Sequence, residues 1–269
     1  MNIQRLLSSI LGLPLVVLVL ALGNEYFIDI FFAIVAIISM YEYFNAIKEK
    51  AHPVKWIGYL SAISIAFIHI IPGFDITYVS LFLPTIVVLL FVQSIFTDMK
   101  YNIKDISFTL FGICYVTLFI MCIPLISGDV PGKIYLWYLV IAAWGTDSFA
   151  YIVGKVLKLG KHKFSKVSPN KTIEGCIGGS IGALVIALIY TYICNSIFDT
   201  SISYLAFGGL TVILSIIGQI GDFAASSIKR YAGIKDFGEL IPGHGGMLDR
   251  IDSVIFIAPF AYLLYMVIL

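Results

Sequence analysis

The chain has 269 residues, 60% of them hydrophobic and 12% charged, roughly half the charged share of about 25% found in ordinary soluble domains. That much apolar side chain exceeds what one water-soluble core can bury, so a soluble globular enzyme is excluded and lipid becomes the main solvent. With 17 basic and 16 acidic residues the net charge is only +1, which gives no electrostatic case for nucleic acid as a partner.

Spanning a hydrocarbon layer of about 30 Å takes about 20 helical residues. Apolar runs of that order occupy, in chain order, residues 6–23, 26–45, 56–72, 78–97, 106–127, 134–154, 174–195, 203–222 and 250–269. They are continuously apolar, where the strands of a membrane barrel would alternate, so helices are expected. The fold class predicted is all-α: a polytopic transmembrane bundle of about nine spans, forming a single membrane domain over residues 1–269 with no internal repeat. The first run has an alternative reading as a secretory signal, since Arg5 precedes it and Ala21, Leu22 and Gly23 end it. Cys114, Cys122, Cys176 and Cys194 sit in apolar runs without metal-ligand spacing, which argues for small hydrophobes and against zinc or disulfides.

Basic residues test the nine-span scheme, because they collect on the cytoplasmic side of a membrane. Under that scheme 16 of the 17 fall on one side, and only Lys133 lies opposite. The expected topology is multi-pass, with the N-terminus and the polar loops cytoplasmic and the C-terminus outside.

Ionisable residues within apolar runs are costly and need a reason. Asp29 and Glu42 lie about one turn from the ends of the second run and are expected to reach the interface. His52, His69 and His162 have no partners at ligand spacing and are read as structurally ordinary. Asp147, in the stretch Trp144 to Tyr151, lies about two turns inside the sixth run and is expected to line a polar cavity. The basic loop of residues 154–175 would serve as a topology signal. Its last part, Ser168 to Gly175, is a polar turn entering a helix and offers Ser168, Lys171, Thr172 and Glu174 as substrate-binding candidates.

Beyond Asp222 the chain reads SSIKRYAGIKDFGELIPGHGGMLDRID over residues 226–252. Asp249 and Asp252 are three positions apart at the head of the last run and share a helix face. With Asp222 they are hard oxygen donors of the kind that hold Mg²⁺ together with substrate phosphates. Lys229, Arg230, Lys235 and Arg250 complement them as phosphate contacts, and Asp236 falls in the same catalytic cluster. His244 is flanked by glycines and can reach phosphate, without being assigned general-base duty.

The segment resembles the signature of the phosphatidate cytidylyltransferases, matching S-x-I-K-R-x4-K-D-x-G-x2-I-P-x-H-G-G-M-x-D-R-I-D without a gap from Ser226 to Asp252. The Ser168 to Gly175 turn and the element from Asp147 to Tyr151 are similar to further features of that family. The resemblance implies that CTP and phosphatidic acid give CDP-diacylglycerol and pyrophosphate in phospholipid biosynthesis, with Mg²⁺ as cofactor and membrane lipid around the site. It leaves open whether the chain works as a homodimer. A transporter for an anionic solute competes, but the polar residues gather at one face and not around the midplane. A CDP-alcohol phosphotransferase would use similar groups, yet its characteristic acidic pattern is missing from the sequence.

Overall fold

The computed structural model describes residues 16–74, 76–157, 162–163, 168, 171–197, 200–240 and 245–268. Among them the regular elements are helices, joined by one antiparallel bridge between Lys163 and Thr172. The helices are α1 Glu25–Ile47, α2 Lys55–Phe67, α3 Thr77–Phe96, α4 Ile103–Ile126, α5 Pro131–Val156, α6 Ile173–Ile197, α7 Tyr204–Ala232 and α8 Leu248–Val267. All except α2 are long and apolar enough to cross a membrane, which gives seven such helices among the described residues. The all-α membrane bundle is thus observed, with seven of the expected nine spans seen among the described residues. The run at 56–72 stops short as a helix near Phe67, where the His69 backbone N–H donates to Asp29 Oδ2 at 2.9 Å. The run at 6–23 lies mostly outside the described residues, with 16–22 helical.

Two compact units make up the chain: Met1–Asp129 with Tyr231–Ile251, and Val130–Arg230 with Asp252–Leu269. In the first, polar side chains tie irregular segments to helices. Asn24 caps α1 by accepting from the Phe27 N–H at 2.8 Å, and Asn102 and Asp105 form a reciprocal capping box at the start of α4. Asp105 Oδ1 also accepts from the His52 N–H (2.7 Å), and Thr109 Oγ1 from the Val54 N–H (2.9 Å). The α1–α2 turn is thereby fixed to α4. The Tyr43 hydroxyl donates to the Phe108 carbonyl at 3.0 Å, and its ring lies where a side chain on Gly112 would be.

Two expectations are corrected in this unit. Asp29 and Glu42 do not reach the interface: both are buried, with 0% and 3% of their surface exposed. Each has found partners, as burial of a carboxylate demands. Asp29 accepts from the backbone of His69 and pairs with its Nδ1 at 2.8 Å, so His69 is not an isolated histidine. That hydrogen bond, opposed by burial and aided by the charges of Asp29 and Glu25, holds the imidazole above its ordinary pKa.

In the second unit α6 shows how these sequences pack without water to drive them. Ile177, Ile181, Val185 and Ile189 recur every four residues and stay exposed, a stripe suited to lipid. Gly175, Gly179, Gly182, Ala183 and Ala187 are buried on the other side. Small residues let backbones approach, which is the main source of helix association in lipid. A Cβ at Gly179 would come within 2.7 Å of the Thr146 carbonyl, and one at Gly182 would collide with Phe149. The close approach of α5 to α6 depends on these two glycines.

Candidate active site

The same approach of α5 to α6 creates the site of the second unit. Helix α5 is interrupted twice: its α-helical turn Thr146–Tyr151 lies between π-helical turns Ile141–Gly145 and Ile152–Val156. Each π turn adds a residue to the coil and rotates the helix beyond it, a local irregularity that often marks functional positions. Asp147 thereby lines a cavity of about 560 Å³, together with Gly154, Lys155, Lys171, Thr172 and Gln219. As expected, Asp147 lines a cavity, in the company of the polar side chains of Lys155, Lys171, Thr172 and Gln219.

A hydrogen-bonded seam extends from this cavity between helices. Thr146 Oγ1 donates to Ser215 Oγ at 2.7 Å, Ser215 and Ser180 hydroxyls lie 2.8 Å apart, and Gln219 Nε2 donates to Ser180 Oγ at 3.0 Å. Sequence reasoning does not single out Thr146, Ser180, Ser215 or Gln219. They carry no charge and are scattered over three helices, so only the sparing use of polar residues in those runs points to them.

Lys171 is the electrostatic centre of this site. Its ammonium pairs with the Asp222 carboxylate and stands 4.9 Å from the centroid of the Phe223 ring. Burial pushes the lysine pKa below its ordinary value, while the carboxylates of Asp147 and Asp252 oppose that shift and Lys229 adds to it. Three acids and two bases from α5, α7, α8 and the loop before α6 are therefore within electrostatic reach of one another. Lys171 is held at the cavity wall by local structure. Its backbone N–H donates to the Ser168 carbonyl (3.1 Å), and Thr172 caps α6 by accepting from the Gly175 N–H (3.2 Å).

The other candidates of that turn have different employment. Glu174 pairs with the ring of His162 and accepts from its backbone N–H, so its carboxylate braces the bridge between Lys163 and Thr172. Ser168 contributes its carbonyl to Lys171. Lys229 is half-buried and Arg230 exposed on the last turns of α7.

In the first unit the signature loop is organised around Asp249. Its Oδ2 accepts from the backbone N–H groups of Phe237 (2.7 Å) and Gly246 (3.0 Å). Gly245 between them adopts φ +82°, a left-handed conformation that favours glycine. Lys235, Asp236 and Arg250 are exposed around this turn. Glu42 reaches the same loop: its two oxygens accept from the Met247 and Leu248 N–H groups at 2.8 Å each. His244, expected to be a site residue, lies outside the described residues.

Among the described residues no three His, Cys, Asp or Glu side chains converge closely enough to make a metal cage by themselves. Asp222 nevertheless pairs with the Lys171 ammonium, and Asp147 and Asp252 act on it electrostatically. Mg²⁺ is usually bound through one or two carboxylates, with waters and substrate phosphates completing its shell. One or two of these carboxylates, with waters and a phosphate ligand, would be the donors for such an ion.

The comparisons with known proteins agree with this chemistry. The sequence profile described as the cytidylyltransferase family matches residues 3–268. A protein named phosphatidate cytidylyltransferase from Staphylococcus aureus strain COL is 34% identical over 261 residues, 95% of each chain. One of the same name from Staphylococcus haemolyticus is 33% identical over 259 residues, again 95% of each. The Bacillus subtilis relative, also so named, is 38% identical over 180 residues, covering 66% of this chain and 65% of its own length. A match over nearly every residue, joined to a cavity where carboxylates and a desolvated lysine meet, means that this chain belongs to the cytidylyltransferase family.

Proposed function

We propose that this membrane enzyme transfers the cytidylyl group of CTP to phosphatidate, giving CDP-diacylglycerol and pyrophosphate. The observation that carries the reading is Lys171, a desolvated cation paired with Asp222 at the wall of a 560 Å³ cavity shared with Asp147. A phosphoryl acceptor fits that cavity because partly buried charge attracts an anion far more strongly than solvated charge does.

In the reaction an oxygen of the phosphatidate phosphomonoester attacks the α-phosphorus of CTP. One O–P bond forms, the bond from the α-phosphorus to the bridging oxygen breaks, and the electron pair leaves with pyrophosphate. A phosphate monoester has a second pKa near about 6, so the nucleophile is already ionised at neutral pH and no general base is demanded. Lys171 and Lys229 stabilise the charge that builds on the transferring group and the departing pyrophosphate. Arg230, Lys235 and Arg250 supply further phosphate contacts, with His244 as an additional one and Asp236 beside Lys235. Ser168, Thr172 and Glu174 shape the approach of substrate to Lys171.

Asp222 and Asp252, with Asp147 near them, would hold Mg²⁺, and Asp249 is a further candidate carboxylate for the ion. When bound, the ion neutralises phosphate charge and polarises the phosphorus under attack. Counted over the nine apolar runs of the sequence, the basic residues favour a cytoplasmic active site and N-terminus, with the C-terminus opposite, which would put the polar groups where CTP is available. Purified protein in mixed micelles should release pyrophosphate only when CTP, phosphatidate and Mg²⁺ are all supplied. Release that does not require phosphatidate would contradict the proposal.

A further inference from the structure

Glu42 is a buried acidic side chain near the C-terminal end of α1 that the reaction above does not use, and its placement asks for an explanation. It is 3% exposed, and its carboxylate accepts from Met247 and Leu248, more than 200 residues away in sequence. Those N–H groups belong to the entry of α8, where the first turn of a helix has donors without intrahelical acceptors. A side chain just before the helix normally satisfies them. Here a carboxylate from another helix does so, and Asp249 takes the neighbouring donors of Phe237 and Gly246.

Two glycines of the signature make room for that carboxylate. A Cβ on Gly238 would stand 2.7 Å from Glu42 Oε1, and a Cβ on Gly246 would collide with both Glu42 oxygens. Neither glycine has positive φ. Close approach, and not backbone freedom, accounts for glycine at both. A second contact secures the same segment: the Tyr231 ring stacks on Phe108, with centroids 5.8 Å apart.

We propose that Glu42 is a positioning residue for the transfer reaction, fixing the signature loop so that Lys235, Asp249 and Arg250 present one arrangement to substrate phosphates. This rests on the cytidylyltransfer reading above. The carboxylate touches no substrate; it acts through the backbone of residues 246–249. Replacing it with an amide leaves one of the two N–H groups facing an NH₂ donor, so the loop loses its single arrangement while the apolar packing of α1 is kept.

The test compares wild type with Glu42→Gln and Glu42→Asp, each purified in detergent and normalised to folded protein by size-exclusion profile and thermal transition. We expect kcat to fall at least tenfold in Glu42→Gln, with KM for phosphatidate within threefold of wild type, and Glu42→Asp to recover part of the loss. Cleavage of folded protein by protease within residues 237–240 or 245–247 should also rise. A folded Glu42→Gln enzyme with wild-type kcat and unchanged protease sensitivity overturns the proposal. Should that variant not be recovered folded, Gly238→Ala reports on the same contact, and wild-type turnover there is equally contrary. A wild-type protein inactive with CTP and phosphatidate contradicts the underlying reaction instead, so the two failures are distinguishable.

Discussion

The Lys171 ammonium and the Asp222 carboxylate form an ion pair that joins the loop before α6 to α7 at the edge of the polar cavity. Both side chains are about a quarter exposed, so the pair is neither a solvated surface bridge nor a sealed one. A phosphate entering the cavity meets a cation already stripped of much of its water. Lys171→Met should therefore lower kcat/KM by roughly 10²–10³-fold, about 2.7–4 kcal/mol in the transition state. The measurement is steady-state pyrophosphate release at several CTP concentrations, and a loss below threefold would remove Lys171 from the site.

Asp249 serves its own loop through Oδ2 and is, in the proposed reaction, a candidate metal ligand. Asp249→Asn should abolish turnover while leaving membrane insertion intact. Raising Mg²⁺ should not rescue it, because the neutral amide has no negative charge for the ion and one oxygen where the carboxylate has two. Near-normal activity would show that the loop contact is the residue's whole role.

The approach of α5 to α6 makes a steric prediction. Gly182→Val places a branched side chain against Phe149 and should cost about 1–3 kcal/mol, the usual range for overpacking. The thermal transition in detergent should fall. Activity should fall with it, since Phe149 and Asp147 share one short helical turn.

His69 gives a pH dependence with a definite sign. Its pKa is raised in the folded protein, chiefly by the hydrogen bond to Asp29. The protonated form is thus favoured by folding, and the stabilisation is complete below the unfolded-state pKa of about 6.5. It is lost as pH rises through the higher folded-state value. The thermal transition should decline over that interval, and His69→Gln should flatten the dependence.

Much of this arrangement is legible in the sequence because lipid imposes a strict code. Long apolar runs mark the seven spanning helices, and the run of charged and glycine residues from Ser226 to Asp252 marks the signature loop. Asp147 is identifiable because a carboxylate two turns inside a span has few ordinary explanations. Glu42 and Asp29 are harder to place, since their partners, Met247, Leu248 and His69, are distant in sequence, and proximity to a helix end suggests solvent. The run at 56–72 has the composition of a full span, and composition does not reveal that the His69 backbone bonds to a side chain of α1. Gln219 and the serine seam carry no charge, so nothing in their spacing distinguishes them from polar residues facing a neighbouring helix.

The central claim is transfer of the cytidylyl phosphorus to lipid, and the position of a label tests it most directly. Purified protein with phosphatidate and Mg²⁺ should convert CTP labelled at the α-phosphorus into organic-extractable radioactivity, while CTP labelled at the γ-phosphorus should yield only water-soluble pyrophosphate. Label from the γ-phosphorus in the lipid fraction, or none from the α-phosphorus with folded protein, would contradict the account.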